Sequence, residues 1–271
     1  MEIDIEFIKG VAVEAGGLAL QLRRAMQTEF KADSSYVTTV DREVERFVQE
    51  RLETRYPGYA FWGEEYGWQG SKTAPLWAVD PIDGTTNMVF NLPFWGVSIG
   101  LVDQGTLCAG AVYLPCTGEL FWAVRGQGAY CNGTVLRATD RTACHPEDTL
   151  GFTSRAVKML NTVGLQGRIR CLGSIAADLV YTARGTLCCL IGWNEGFYDM
   201  AAGLCVAQEA GCIATYLTGE PLDPGELLKQ RVTRAPFIVA PPEFAAHVRS
   251  VLNPDNPLIG EEGNAAGTGA A

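Results

Sequence analysis

Apolar residues near the start of the chain recur every three to four positions, which is the period of one face of an α-helix. Between residues 5 and 28 this pattern predicts an amphipathic helix, whose apolar positions are Ile8, Val11, Ala15, Leu18, Leu22 and Met26. The same period returns between residues 41 and 56, and Pro57 marks the end of this second predicted helix. The chain therefore begins with two helices that each bury one face.

Shorter apolar runs, typical of strands, follow the two helices. Residues 76–79 predict a buried strand, and residues 94–137 predict antiparallel strands joined by turns such as "DQG" and "RGQG". After about residue 150, helical and strand-like segments alternate, as in "GSIAADLVYTARG" followed by "TLCCLIGW". We therefore expect an α+β half over residues 1–145 and an α/β half over residues 146–252, which carries Asp199. Residues 253–271 predict a flexible tail.

The composition narrows the class of protein. The chain has 271 residues, 47% of them apolar, enough for one large domain or two closely packed halves. A formal net charge of -10 makes nucleic acid and anionic lipid unlikely partners. The sequence contains no apolar run of about 18 residues, and its start, "MEIDIEFIKG", lacks the charge pattern of a secretory signal, so we expect no membrane association and a cytoplasmic location. Nine cysteines without a Cys-x-x-Cys pair predict buried free thiols.

The stretch "WAVDPIDGTTNM" places two acids on either side of a proline-containing bend that follows an apolar run. Asp80 and Asp83 supply carboxylates there, and ligands gather at the carboxyl ends of strands. Gly84 and Thr85 open a turn or short helix whose backbone amides can bind phosphate oxygens. Acids repel a neighbouring phosphate unless a cation lies between them, and oxygen ligands beside phosphate indicate Mg²⁺. The stretch therefore predicts a magnesium and phosphate site.

Four further acids occur in unusual surroundings. Glu64 and Glu65 follow two aromatic residues and a glycine in "FWGEEYG", Asp199 precedes the small residues of "DMAAG", and Asp41 begins a predicted helix. Taken singly, Asp41 is more typical of a helix cap, and the other acids are more typical of solvated turns or caps. Their combination with "DPIDGTTN" favours a shared site instead.

The combined pattern resembles the inositol monophosphatase family of Mg²⁺-dependent, Li⁺-inhibited phosphatases. The matching segments, in chain order, are "VTTVDREVE" (37–45), "GEE" (63–65), "DPIDGTTN" (80–87), "GSIAA" (173–177) and "YDMAAG" (198–203). The resemblance implies a layered αβαβα sandwich, with an antiparallel sheet in the N-terminal half and α/β structure in the C-terminal half. It also implies a homodimer that acts on a small-molecule phosphate monoester.

The resemblance implies roles for individual residues as well. Two or three Mg²⁺ ions are expected at each site, held by Glu64, Asp80, the carbonyl of Ile82, Asp83 and Asp199. The expected catalytic residues are Asp41, Thr85 and Glu65, of which Asp41 and Thr85 orient and deprotonate the attacking water. The expected substrate-binding residues are Lys31, Asp83, Gly84, Thr85, Gly173, Ser174, Ile175 and Glu195.

The residues that contact the alcohol part of the substrate depart from the family pattern. Inositol-preferring relatives carry a glutamate seven residues before the aspartate that matches Asp199, and Gly192 stands at this position here. Glu195 is the acid that could replace it. If the geometry of the pocket is otherwise like that of the family, we expect Gly192→Glu to raise the preference for inositol phosphate.

Three functions fit the sequence. The first is hydrolysis of inositol 1-phosphate or a similar polyol phosphate by in-line attack of water at two metal ions. The second is the same chemistry on histidinol phosphate, fructose 1,6-bisphosphate or a 3′-phosphonucleotide. The third is a non-catalytic role as a binding partner of the transcription machinery. Because every expected metal ligand is present, the sequence favours an enzyme.

Overall fold

The computed structural model describes residues 3–31 and 35–252, so the predicted flexible tail lies outside the described residues. The helices are α1 (Ile5–Leu22), α2 (Thr39–Arg55), α3 (Thr85–Val89), α4 (Ser154–Met159), α5 (Ile175–Ala183), α6 (Phe197–Glu209), α7 (Pro224–Gln230) and α8 (Pro242–Val251). The first ten strands are β1 (Thr28–Phe30), β2 (Tyr36–Thr38), β3 (Ala60–Gly63), β4 (Gly67–Gln69), β5 (Leu76–Asp83), β6 (Gly96–Asp103), β7 (Thr106–Leu114), β8 (Glu119–Val124), β9 (Ala129–Cys131) and β10 (Thr134–Val135). The remaining strands are β11 (Thr149–Phe152), β12 (Arg168–Arg170), β13 (Cys189–Gly192), β14 (Ile213–Tyr216) and β15 (Phe237–Ala240). None of these helices is long and apolar enough to cross a lipid bilayer.

Both predicted N-terminal helices are confirmed, but the first ends earlier than expected. The carboxylate of Asp4 accepts a hydrogen bond from the backbone N–H of Phe7 (3.1 Å) and so caps α1, and Ile8 is buried on its inner face. α1 ends at Leu22 because the chain then passes through a 3₁₀ turn into β1, whose backbone pairs with β2. Met26 therefore lies outside the helix.

The first sheet has eight strands in the order β10-β9-β8-β7-β6-β5-β3-β4. All neighbours in this sheet are antiparallel except β3 and β5, which are parallel. The prediction of antiparallel strands over residues 94–137 is confirmed.

Strand β5 is longer than the apolar run predicts. It continues through the two acids of "DPID", so Asp80 lies within the strand and Asp83 is its last residue. The pairing of β5 with β6 is regular up to Asp80 and shifts between Asp80 and Asp83. Pro81 has no N–H to donate to the neighbouring strand, which accounts for an irregularity at this point. The irregular segment places both acids at the carboxyl end of β5.

The second sheet is mixed and has five strands in the order β12-β11-β13-β15-β14. β11 is parallel to β12 and β13, whereas β15 is antiparallel to β13 and β14. Helices α4 and α8 cover one face of this sheet, where Phe244 of α8 packs in a cluster with Ile238 of β15.

The helices and the two large sheets stack in five layers, and β1 and β2 form a separate two-stranded sheet. α1 and α2 cover the outer face of the first sheet, where Val44 packs in a cluster with Ile99. α5 and α6 lie between the two sheets, and Leu204 of α6 shares a core with Phe121 of the first sheet and Val239 of the second. With α4 and α8 on the far side, the predicted αβαβα sandwich is confirmed. The division into two units at residue 145 stays a prediction.

The cysteines match the predicted state only in part. All nine are free and lie within the described ranges. The buried ones are Cys188, Cys189, Cys205 and Cys212. Cys116 and Cys171 are exposed, because each lies in a loop and not in a packed element, so the expectation of buried thiols is wrong for these two.

Candidate active site

Three carboxylates from distant parts of the chain meet at the edge of the first sheet. Glu64 follows β3, Asp80 lies in β5 and Asp199 lies in the first turn of α6, and one oxygen from each lies within 4.8 Å of the others. The small residues after Asp199 let α6 approach the sheet closely. A Cβ atom added to Gly100 of β6 would lie 2.8 Å from the Cβ of Ala201. This close packing brings Asp199 to the other two acids.

The donor set of this cluster suits a hard divalent cation. Every donor is a carboxylate oxygen, and hard cations such as Mg²⁺ and Ca²⁺ prefer oxygen ligands. Asp199 Oδ1 is buried and has no hydrogen-bond partner within residues 3–31 and 35–252. Over the same ranges, no lysine, arginine or histidine forms an ion pair with Asp80 or Asp199. The residues present therefore fit the cation that the sequence predicts.

Burial and mutual repulsion disfavour the ionised forms of these acids. Burial raises the pKa of Asp80 well above its ordinary value, and the charges of Glu64, Asp199 and Asp83 add to the effect. The pKa of Asp199 is raised well above its ordinary value for the same two reasons, burial first. Burial also raises the pKa of Asp83 to about 6. A bound cation would relieve this repulsion.

Lys31 lies beside two of the acids. Its Nζ is 2.7 Å from Glu64 Oε1 and 2.6 Å from Glu65 Oε1. Burial favours the neutral amine, but the two carboxylates outweigh burial and raise the pKa of Lys31 above its ordinary value. Lys31 is therefore a cation that offsets part of the negative charge on the Glu64–Glu65 turn.

A buried acid on α2 supports the same turn. Glu45 is fully buried, and its carboxylate accepts hydrogen bonds from the backbone N–H groups of Glu65 (2.8 Å) and Tyr66 (2.9 Å). A Cβ atom at Gly63 would overlap this carboxylate, so the close approach requires glycine. Burial raises the pKa of Glu45 to about 7. Glu45 is the last residue of the "VTTVDREVE" segment, but the resemblance implies no role for it.

Asp41 and Thr85 form a hydrogen-bonded pair next to the carboxylates. The Thr85 hydroxyl lies 2.8 Å from Asp41 Oδ1 and 3.0 Å from the carbonyl oxygen of Ile82. Asp41 is not the N-cap of α2; that residue is Thr38, whose backbone N–H donates to Asp41 Oδ2 (2.8 Å) in a capping box. Burial raises the pKa of Asp41, although hydrogen bonds from Thr38 and Thr85 oppose this. Asp41 therefore stabilises the start of α2 and also accepts a hydrogen bond from the Thr85 hydroxyl.

The "DPIDG" and "GSIAA" segments are joined by direct contacts. Ser174 Oγ and the backbone N–H of Ala176 (2.8 Å) both donate to Asp83 Oδ2. Gly84 has φ +90°, and a Cβ atom there would lie 2.9 Å from the carbonyl oxygen of Phe94 and 3.1 Å from the Cβ of Ser174. Glycine is needed at this position for both its backbone conformation and its lack of a side chain.

Two cavities meet at the acids. The first, which we call the carboxylate cavity, has a volume of about 210 Å³ and is lined by Ser35, Tyr36, Glu64, Asp80, Ile82, Asp83, Gly84, Thr85, Thr86, Gly173 and Asp199. The second, which we call the outer cavity, has a volume of about 330 Å³ and is lined by Asp83, Thr153, Ser154, Arg155, Gly173, Ser174, Ile175, Asp178, Trp193, Asn194, Glu195 and Asp199. Asp83, Gly173 and Asp199 line both, so a ligand in one cavity can extend into the other.

Most of the residues that the sequence nominates line one of these cavities. Those lining neither are Asp41, which contacts Thr85, and Lys31 and Glu65, which contact each other beside Glu64. The structure therefore gathers all the nominated residues around one pair of cavities, with Thr85 in the lining of the carboxylate cavity and Glu195 in that of the outer cavity.

The structure does not have the pocket geometry that the Gly192→Glu prediction requires at this position. Gly192 is the cross-strand partner of Phe237, and a Cβ atom added to it would overlap the fully buried Phe237 ring. Glu195 lines the outer cavity instead, and Thr233 fixes its backbone through two hydrogen bonds (2.9 and 3.0 Å). Burial raises the pKa of Glu195 to about 7. A glutamate at position 192 cannot enter the outer cavity without displacing Phe237.

Asp178 is a further acid of the outer cavity that the sequence analysis does not single out. It lies in the first turn of α5 and is 1% exposed. The sequence could have identified Asp178 only as the one acid within the otherwise apolar "SIAADLVY". An acid in the first turn of an ordinary helix gives the same pattern.

The oxygen cluster, the neighbouring hydroxyl–carboxylate pair and the adjoining cavities define the class as a metal-dependent hydrolase. A sequence model of the inositol monophosphatase family matches residues 4–252, and the chain belongs to this family of phosphoric monoester hydrolases. A fructose-1,6-bisphosphatase/inositol-1-monophosphatase of Aquifex aeolicus is 31% identical over 242 residues, which cover 84% of this chain and 91% of the relative.

Solved structures have the same fold. The Thermotoga maritima IMPase superposes with a TM-score of 0.81 at 26% identity, covering 92% of this chain and 96% of the other. An IMPase/NADP phosphatase complexed with Mg²⁺ and phosphate superposes with a TM-score of 0.75 at 25% identity, covering 90% and 93%.

Proposed function

We propose that this protein is a Mg²⁺-dependent phosphomonoesterase that hydrolyses inositol 1-phosphate or a similar polyol phosphate. One observation carries the proposal: oxygens of Glu64, Asp80 and Asp199 lie within 4.8 Å of one another, next to the Asp41–Thr85 pair. An oxygen-only cluster of this kind suits Mg²⁺, and the pair beside it can take a proton from water.

The proposed ligands of the metal ions divide into two sets. Glu64, Asp80 and the Ile82 carbonyl would hold one Mg²⁺, and Asp80, Asp83 and Asp199 would hold a second, with Glu65 near a weaker third. When bound, the ions neutralise charge on the phosphoryl oxygens and lower the pKa of a bound water. The structural neighbour complexed with Mg²⁺ and phosphate supports the choice of metal.

The protein's own residues prepare the attacking water and hold the phosphate. The Thr85 hydroxyl passes its proton towards Asp41, 2.8 Å away, and accepts a hydrogen bond from water. Because burial raises the pKa of Asp41, this carboxylate accepts a proton more readily at neutral pH than an exposed aspartate does. The backbone amides of Gly84 and Thr85 bind phosphate oxygens, and Lys31 limits the negative charge around Glu64 and Glu65.

The outer cavity receives the alcohol part of the substrate. It shares Asp83, Gly173 and Asp199 with the carboxylate cavity, so a group esterified to a phosphate held there extends into it. Its polar lining includes Ser174 and Glu195, which can accept hydrogen bonds from hydroxyl groups. This lining favours a polyol over an apolar alcohol.

Measuring phosphate release from a panel of esters tests the proposal. The panel contains inositol 1-phosphate, glycerol 2-phosphate, histidinol phosphate, fructose 1,6-bisphosphate and a 3′-phosphonucleotide, each with Mg²⁺ and after chelation with EDTA. We expect release that needs Mg²⁺ and is inhibited by Li⁺ and by excess Mg²⁺. Full turnover in EDTA would refute the metal assignment. Absence of release from every ester would favour the non-catalytic role in transcription.

A second candidate substrate is fructose 1,6-bisphosphate. It is favoured by the Aquifex aeolicus relative, which is described as both a fructose-1,6-bisphosphatase and an inositol-1-monophosphatase. The same panel ranks the two esters by kcat/KM. The homodimer and the cytoplasmic location are also proposals; light scattering of the purified protein and fractionation of cells test them.

A further inference from the structure

One carboxylate oxygen in the wall of the outer cavity lacks a hydrogen-bond partner. Asp178 is 1% exposed, and its Oδ1 atom has no partner in the part of the chain that the structure describes. A buried carboxylate oxygen without a donor destabilises the fold, so such groups are rare unless they serve a ligand. Asp178 also lines the outer cavity, where a ligand could supply the missing donor.

The surroundings of Asp178 offer it no positive charge. Burial raises the pKa of Asp178 well above its ordinary value, and the nearby negative charges of Asp83 and Glu195 add to the effect. Over residues 3–31 and 35–252, no basic side chain forms an ion pair with Asp178 or Glu195. The cavity's basic residue, Arg155, places its guanidinium 5.6 Å from the centre of the Trp193 ring. This wall therefore presents hydrogen-bond acceptors to a ligand in the outer cavity.

A role in the helix alone does not explain Asp178. A negative charge in the first turn of α5 interacts favourably with the helix dipole. That interaction would be retained if the carboxylate pointed to solvent, where water would satisfy both oxygens. The dipole therefore accounts for an acid at this position but not for a buried oxygen without a donor.

We propose that Asp178 is a specificity-determining residue that accepts a hydrogen bond from the leaving alcohol, acting with Glu195 on the same wall. The inference rests on the proposed phosphatase function and names the substrate class of the outer cavity. The ester must carry a hydrogen-bond donor, a hydroxyl or an ammonium group, on the alcohol that departs. Phosphate lies at the opposite end, in the carboxylate cavity, beside the proposed metal ligands.

The experiment compares two esters of similar ring size. Inositol 1-phosphate carries hydroxyl donors, whereas phenyl phosphate carries none. For Asp178→Ala we expect kcat/KM for inositol 1-phosphate to fall about 10- to 100-fold, the range for leaving one buried donor of the substrate without its hydrogen-bond partner. For phenyl phosphate we expect a change within about threefold. Equal losses for both esters, or no loss for either, would overturn the proposal.

A conservative variant keeps the test informative if Asp178→Ala does not fold. Asp178→Asn keeps the shape of the side chain but replaces one acceptor oxygen by an amide group that only donates, so the ratio of kcat/KM for inositol 1-phosphate to that for phenyl phosphate should fall by about threefold to tenfold. An unchanged ratio in a folded Asp178→Asn protein would also overturn the proposal.

A third ester distinguishes the two kinds of donor. In an aminocyclitol phosphate an ammonium group replaces one ring hydroxyl. If the parent prefers this ester and Asp178→Asn loses that preference, the donor is an ammonium group. If both cyclitol esters lose kcat/KM to the same extent, the donor is a hydroxyl.

Two controls separate a loss of substrate recognition from a loss of stability and from a loss of phosphatase activity. Asp148 is also a buried acid of the second half, but it accepts a hydrogen bond from His145 N (2.8 Å) and pairs with Arg141 (3.1 Å), outside both cavities. Asp148→Asn should change thermal stability without changing the ratio between the esters. Mg²⁺-dependent release from phenyl phosphate by the parent tests the proposed function itself. If that release is present and the ratio does not depend on Asp178, the specificity proposal alone fails.

Discussion

A side chain at Gly192 should destabilise the protein instead of improving substrate recognition. Gly192 of β13 faces Phe237 of β15 across an antiparallel pair, and both residues are buried. A Cβ atom at Gly192 would lie 2.7 Å from Phe237 Cε1 and 3.0 Å from Cε2, closer than nonbonded carbons approach. The ring covers the glycine because no side chain stands between them, so even Gly192→Ala forces it to move.

The expected magnitude follows from two opposing effects. Inserting a methyl group into a packed core costs about 1–3 kcal/mol. Replacing glycine by alanine in a strand recovers roughly 0.5–1 kcal/mol, because the unfolded chain becomes less flexible. We therefore expect Gly192→Ala to lower the free energy of unfolding by roughly 1–2 kcal/mol, and the melting temperature by about 2–4 °C for a chain of this size. Gly192→Glu should cost more, because it also buries a charge.

Urea and thermal unfolding of the parent and the variants measure these changes. Gly17→Ala is the matched control: Gly17 lies within α1, and a Cβ atom there would have no heavy atom within 4 Å. Since alanine favours a helix, this variant should gain about 0.5–1 kcal/mol. In a Phe237→Leu background the cost of Gly192→Ala should shrink by at least about 0.5 kcal/mol, the coupling expected of two residues in contact.

The reasoning is refuted if Gly192→Ala is as stable as the parent, or if the double variant shows no coupling. Activity provides a second readout. If Gly192→Glu folds normally and prefers inositol phosphate more strongly than the parent does, then position 192 reaches the outer cavity after all.

Three further predictions concern the site and the residues around it. Asp80→Asn should reduce phosphate release more than Asp41→Asn, because Asp80 is the proposed ligand of both metal ions. Loss of an assisting base such as Asp41 typically reduces turnover about 10²–10⁴-fold. Steady-state rates compare the two variants, and circular dichroism checks that both are folded. Burial raises the pKa of Glu45 from its ordinary value of 4.5 to about 7 in the folded protein. The protonated form therefore stabilises the fold at low pH, and the free energy of unfolding should fall by about 3 kcal/mol as pH rises from 4.5 to 7. Glu45→Gln should remove this pH dependence, measured by urea unfolding at pH 4.5 and 8 in EDTA. Mild alkylation of the exposed thiols Cys116 and Cys171 should leave most activity, measured by phosphate release after treatment.

Each of these predictions has a clear contrary result. Parent-like turnover in Asp80→Asn would refute the two-metal assignment. An unfolding free energy that falls equally with pH in the parent and in Glu45→Gln would show that other acids cause the dependence. Rapid inactivation by alkylation, prevented by substrate, would reveal a thiol in the site.

The features that the sequence predicts well are those that local chemistry determines. The helical period identifies α1 and α2, because burying one face of a helix needs apolar residues every three to four positions. "DPIDGTTN" is predictive because the bend, the two acids and Gly84 act within eight residues of one another. For the N-terminal helix, only the predicted end is wrong: α1 stops at Leu22, because the chain after it enters β1, which pairs with β2.

The tertiary structure alone decides which residues meet across the layers. The sequence names Glu64, Asp80 and Asp199, but their approach within 4.8 Å depends on the close packing of α6 against Gly100 and on the hold of Glu45 upon the turn after β3. These contacts join segments far apart in the chain, and periodicity carries no information about such pairs.

The same reason applies to two positions whose roles only the structure suggests. In the sequence, Asp178 has the pattern of an ordinary acid at a helix start. Only the structure shows that it lines the outer cavity and that its Oδ1 has no donor among the described residues. In the sequence, Gly192 stands where inositol-preferring relatives carry a glutamate, but only the structure shows that the Phe237 ring covers this position. The sequence by itself determined the fold class and the kind of chemistry, because both follow from residue type and local spacing. Which side chains face the substrate was decided by packing between distant segments.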